Sequence, residues 1–118
     1  MIEGKRGFVP NTIGHFDIAG DDLKGLGAFY AKVFGWEIQS MGPGYSLIKT
    51  PKGSVGGALV ESESPSLTVG IVVPDLDRAL RSSADAGGRI VMEKTDNGWV
   101  KKGQVTDPAG NRLTLIQG

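Results

Sequence analysis

Thr68 to Leu80, TVGIVVPDLDRAL, decides the fold once it is laid over His15 to Gly27, HFDIAGDDLKGLG, 53 positions earlier. Each stretch opens with a run of strand length, passes an aspartate and continues with apolar residues at helical spacing. In the later copy Leu76, Ala79, Leu80, Ser83 and Ala84 fall at i, i+3, i+4, i+7 and i+8, one stripe of an amphipathic helix. The same offset finds Leu23, Leu26, Gly27, Tyr30 and Ala31 in the earlier copy. Asp22 and Asp75 stand where a side-chain carboxylate can cap the free amides of a first helical turn. Gly35 and the Gly87–Gly88 pair stand where each helix should stop.

Three strand-like runs follow in each copy. The first set is Trp36 to Met41, Tyr45 to Thr50 and about Val55 to Glu61, and the second is Arg89 to Lys94, about Trp99 to Thr106 and Arg112 to Gln117. Turn-forming residues separate them, among them Pro51-Lys52-Gly53 and Asp107-Pro108-Ala109-Gly110-Asn111. The turns at Thr50 and Asp107 correspond at an offset of 57, so the second copy is longer around its second and third strands. The repeat predicts an α+β chain of two βαβββ modules, about 13–62 and 67–118, in a single domain behind an N-terminal arm at 1–12. ESESPS, Glu61 to Ser66, is the expected linker.

At 118 residues the chain is long enough for a core of its own. Thirteen basic residues balance thirteen acidic ones. That balance gives no electrostatic footprint for nucleic acid or an anionic membrane, and a small neutral partner suits it better. The absence of cysteine removes disulfides, thiolate metal sites and thiol nucleophiles. Residues 1–12 contain no apolar run of signal-peptide length, and no later run reaches the roughly 18 apolar residues of a membrane span. A cytoplasmic protein is expected.

GHFDIAGDDLKGLGAFYAKVFGWEI, with its strand histidine and its helix ending FYAKVFGW, and DPAGNRLTLIQ near the C-terminus resemble the vicinal oxygen chelate superfamily. That family includes glyoxalase I, bleomycin-resistance proteins and extradiol dioxygenases. The resemblance runs from about Ile13 to Gln117. It implies two βαβββ modules forming a partly closed, eight-stranded mixed β-barrel around a cleft, with helices packed outside, and commonly a homodimer. It also implies up to four His or Glu metal ligands on the first and last strands of the modules. Only His15 matches such a position. Its repeat mate is Thr68, the glutamate position falls on Thr114, and the remaining one falls on Gly57 or Ala58. The expectation is therefore a small organic molecule bound in the cleft without a metal cofactor, in a homodimer. Two alternatives are a metal-dependent lyase, isomerase or dioxygenase using His15 with Asp17, Glu61 or Gln117 as substitute ligands, and a non-catalytic scaffold or regulatory subunit.

Strand alternation gives an independent choice of site residues. Phe16 and Ile18 suit the helix-packed face, leaving His15 and Asp17 for the cleft; Leu113 and Leu115 pack, leaving Thr114 and Ile116 inward. Residues two apart on a strand are parallel neighbours, so alternation does not bring His15 and Asp17 into the contact that acid–base work needs. Tyr45, Thr68 and Trp99 complete the cleft-lining candidates, with Trp36 assigned to packing. Gly53 to Gly57 lacks the phosphate-loop pattern, and its Gly56-Gly57 pair marks a close backbone approach or a bulge in a curved sheet. Lys101-Lys102 is read as a solvated strand edge.

Overall fold

A computed structural model describes residues 9–118; positions 1–8 of the expected N-terminal arm lie outside the described residues. The first module runs β1 (Thr12–Gly20), α1 (Leu23–Phe34), β2 (Glu37–Ser40), β3 (Tyr45–Lys49) and β4 (Gly57–Glu61). The second runs β5 (Ser66–Val73), α2 (Leu76–Asp85), β6 (Arg89–Asp96), β7 (Lys101–Thr106) and β8 (Arg112–Gln117). The α+β class and the two βαβββ modules are as the repeat predicted. Contacts group 14–69 into one compact unit and 70–118, with described residues 9–13, into the other.

In the first module the strands are hydrogen-bonded in the order β2-β3-β4-β1. The β1–β4 pair is parallel, with Phe16 opposite Gly57 and Asp17 opposite Ala58, and the other pairs are antiparallel. The second module has the order β5-β8-β7-β6, with β7 antiparallel to both neighbours. The four strands of neither module close on themselves, so the expected partly closed barrel is not seen within either. β7 is an inner strand, which corrects the reading of Lys101-Lys102 as an edge. Both lysines are exposed, and the edge strand is β6. The extra length of the second module lies in β6, eight residues against four in β2, and its pairing with β7 slips at two points.

Local chemistry builds both helices as the sequence indicates. The Asp22 carboxylate accepts from Gly25 N at 3.0 Å and that of Asp75 from Arg78 N at 3.0 Å. Gly35, at φ 73°, turns the chain left-handed and donates its N–H to Ala31 O at 2.9 Å. The helix stripes then bury. Leu76 and Leu80 are wholly enclosed among Val73, Val105 and Leu115, while Leu23, Leu26 and Tyr30 pack with Ile18, Ile48 and Leu59. Volume is exchanged between helix and sheet. Where α1 carries Gly27, Ile38 and Leu59 fill the space; where α2 carries Leu80, the sheet supplies Gly103. Trp36 packs as expected, stacked on Tyr30 with centroids 5.6 Å apart. Among the described residues, no helix is long and apolar enough to cross a membrane.

Candidate functional site on the open face of the first module

Packing of Phe16 and Ile18 against α1 turns His15 and Asp17 to the opposite, open face of β1. There His15 Nε2 lies 2.9 Å from Asp17 Oδ1, with side chains 28% and 25% exposed. The contact that alternation alone did not guarantee is therefore made, because neighbours on one strand face can lean together. With Nε2 donating to the carboxylate, Nδ1 is the ring atom left to accept a proton. Tyr45 opens β3 on this face, alternating with buried Ser46 and Ile48. Burial pushes its hydroxyl above the usual 10.0, and the negative charge of Asp17 raises it further.

A hollow of about 570 Å³ opens on the same module. His15 lines it, together with Gln39, Leu47 and Lys49 from the sheet and the 50–56 loop. The loop is braced by Thr50 Oγ1 donating to Val55 O at 2.8 Å and by Ser54 N donating to Pro51 O at 3.0 Å. Gly57 allows β4 to lie tight on β1, since a β-carbon there would run into the carbonyl and ring of Phe16. The close approach expected at the Gly56-Gly57 pair is found at Gly57. Asp17 and Tyr45 share the open face and lie outside the lining of the hollow.

The remaining candidates stand apart from this group. Thr68 is a half-buried residue of β5, and Ile116 a half-buried residue of β8. Thr114 is only 3% exposed, and its hydroxyl accepts from Gln104 Nε2 at 3.1 Å. Gln104 was missed by the sequence reading, although its alternation with buried Gly103 and Val105 places it on the Thr114 face. Trp99 is 82% exposed in the turn before β7, beside a smaller hollow of about 310 Å³ that includes Lys101 and Gln117. Gln117, a possible substitute ligand, is engaged elsewhere. Its Oε1 accepts from Leu76 N at 2.9 Å, and its Nε2 donates to Pro74 O at 2.7 Å.

The donor set does not fit the metal that the resemblance implies. Gly57 and Ala58 carry no donor, Thr68 offers only a hydroxyl, and the Thr114 hydroxyl is committed to Gln104. Among the described residues no three His, Cys, Asp or Glu side chains converge.

Two βαβββ modules with a histidine on the open face of the first strand define the class. The description Glyoxalase/Bleomycin resistance protein/Dioxygenase superfamily matches residues 12–115, and the chain belongs to that superfamily. No match is found among curated proteins. Among solved structures, methylmalonyl-CoA epimerase from Mycobacterium tuberculosis is similar over 98% of this chain and 95% of its own, at 18% identity and a TM-score of 0.69. The Mn(II)-bound glyoxalase from Novosphingobium aromaticivorans is similar over 92% of this chain and 40% of its own, at 17% identity and 0.68. An extradiol ring-cleaving dioxygenase from B. fuscum matches over 92% and 33%, at 18% identity and 0.71. This chain thus spans less than half the length of the last two, and at such identities the likeness is one of fold.

Proposed function

We propose that the chain binds a small organic molecule, without a metal, in the hollow beside His15. The observation that carries this reading is the hollow itself. Its volume, about 570 Å³, lies in the range of small-molecule sites, and it combines apolar Leu47 and Pro51 with convergent polar groups. The superfamily includes resistance proteins as well as enzymes, so a binding role is within its range. A second copy of the chain is the proposed partner, supported by the exposed Phe29, Val33 and Phe34 on α1. Sedimentation equilibrium checks that assembly.

A thermal-shift screen tests the binding reading, because a ligand held only by the folded state stabilises it by mass action, about 2.7 kcal/mol at 100 times its Kd. His15→Ala is expected to remove the shift. Elemental analysis of protein purified without chelators checks the metal. A stoichiometric metal that disappears in His15→Ala overturns the reading.

A second reading is favoured by the 2.9 Å contact of His15 with Asp17. A histidine held by a carboxylate can exchange a proton with a bound molecule, which makes an enzyme of the same hollow. Turnover abolished by Asp17→Asn, with ligand affinity retained, would favour this enzyme over a binder.

A further inference from the structure

The zero net charge of the chain averages over a surface whose charges are unevenly placed, and the hollow is one of the uneven places. The ladders end with Phe16 and Ile48 on either side of Gly57; continued one step beyond them, the same registers bring His15 and Lys49 to either side of Gly56, and all three line the hollow. These three share the open face, because the side of Gly57 points at Phe16 on the packed face. Glu37 pairs with Lys49 on the outer side of the row. Two strand spacings, about 10 Å, separate His15 from Lys49, and the residue between them has no side chain. Gly56 lines the hollow and adds no side chain to it. Its φ lies outside the left-handed region, and a β-carbon there would meet only Ile48 O, at 3.3 Å. Neither the backbone conformation nor a severe clash demands glycine at this position, in contrast to Gly57.

Lys49 from the sheet and Lys52 from the braced loop both line the hollow, against the single carboxylate of Glu37. His15, two strands away from Lys49, offers a hydrogen-bonding ring whose Nε2 is held by Asp17. We propose that the hollow takes a small organic anion, its carboxylate or phosphate group at Lys49 and Lys52 and its uncharged body lying over Gly56 and Leu47 toward His15. The proposal rests on the binding reading above and narrows its ligand to one charge class. Two ammonium groups within reach of one anion supply charge-assisted hydrogen bonds, while a neutral molecule leaves both lysines to water.

The test uses three probes of similar shape, benzoate, phenyl phosphate and neutral benzamide, added to the whole chain at low ionic strength, where exposed charges are least screened. The readout is the imidazole signals of His15 in proton NMR, unambiguous because it is the only histidine. Saturable shifts are expected with benzoate or phenyl phosphate, and affinity for benzamide at least tenfold weaker. Whichever anion binds more tightly identifies the source as carboxylate or phosphate. A Lys49→Gln, Lys52→Gln double variant, altered only at exposed side chains, should lose roughly tenfold or more in anion affinity. Gly56→Leu should put a side chain at the lining of the hollow and weaken the shifts while keeping the parent circular dichroism. Benzamide binding as tightly as benzoate, or anion binding unchanged in the double variant, overturns the anion proposal and leaves the binding reading standing. No His15 shift with any of the three probes also overturns the anion proposal; the binding reading falls with it only if the broad ligand screen is empty too.

Discussion

Gln117→Ala separates a helix-supporting role from a ligand-binding one at the end of β8. The Gln117 side chain joins residues 41 and 43 positions away, accepting from Leu76 N at 2.9 Å and donating to Pro74 O at 2.7 Å. Leu76 is the first residue of α2, is wholly buried, and has an N–H with no partner inside the helix. Each hydrogen bond contributes about 1 kcal/mol net, and stranding a buried amide adds a further cost. Gln117 itself is half-exposed, so water can replace part of what is lost. The expected destabilisation is about 2 kcal/mol, and at this chain length roughly 4 °C in Tm per kcal/mol gives a fall of about 8 °C. Thermal unfolding followed by circular dichroism measures it. Gln117→Glu keeps an acceptor for Leu76 N and loses the donor to Pro74 O, so it should fall between the parent and Ala. An Ala variant that melts within about 1 °C of the parent, or that loses ligand affinity at unchanged Tm, refutes the helix-supporting role.

Gly57→Ala should cost about 1–3 kcal/mol by overpacking, because its new carbon meets the backbone carbonyl and ring of Phe16; Gly56→Ala, which meets only Ile48 O at 3.3 Å, should cost less, and equal urea midpoints for the two would contradict the geometry. Asp17→Asn should lower the Tyr45 hydroxyl pKa toward 10.0 without fully restoring it, since burial is the larger cause; absorbance titration at alkaline pH in a Tyr30→Phe background reads this directly. Because the folded chain holds the Tyr45 proton more tightly than the unfolded one, the associated stability is complete below pH 10.0 and is lost as pH rises through the elevated value. Asp107 has the opposite sign: bonds from the Asn111 side chain and backbone, and from the Ala109 and Gly110 amides, hold its carboxyl below 3.8. Its contribution is complete above that pH and is lost as pH falls through the lowered value, so Asp107→Ser should flatten the acid limb of a Tm–pH curve.

The features legible in the sequence are those fixed within a few residues. Both N-caps, the left-handed stop at Gly35 and the helix stripes depend on spacings of three or four, and each was found where the pattern put it. Alternation likewise assigned Phe16, Ile18, Leu113 and Leu115 to packing. The misreadings have a common cause in strand order and side-chain reach. Lys101-Lys102 looked like an edge because charge deters pairing at edges, yet alternation also leaves long charged residues on an inner strand when they extend past it. The tie from Gln117 to α2 spans 41 residues, and no local pattern announces it. His15 and Asp17 meet through side-chain rotation, which the period of two does not specify.

The motifs that identify the family are consumed mainly by the fold. In DPAGN, Asp107 Oδ1 accepts from Ala109 N and Asn111 N at 2.9 Å each, and Oδ2 from Asn111 Nδ2 at 2.9 Å, which leaves the carboxylate employed in holding its own turn. In FYAKVFGW, Tyr30, Phe34 and Trp36 pack on one another before and after the glycine stop. Of these motifs, His15 and Asp17 stand on an open face as each other's polar partners. Among the other residues lining the hollow, Lys49, Lys52 and Gly56 belong to no identifying motif, and a β-carbon at Gly56 would meet only Ile48 O, at 3.3 Å, far less than at Gly57. Exposed side chains that line a cavity and carry none of the core packing are where specificity can change at little cost to the fold. On the proposed anion-binding reading, family membership and ligand choice rest on different residues of this chain, and substitutions at 49 and 52, both exposed, should alter what is bound with little change in melting temperature.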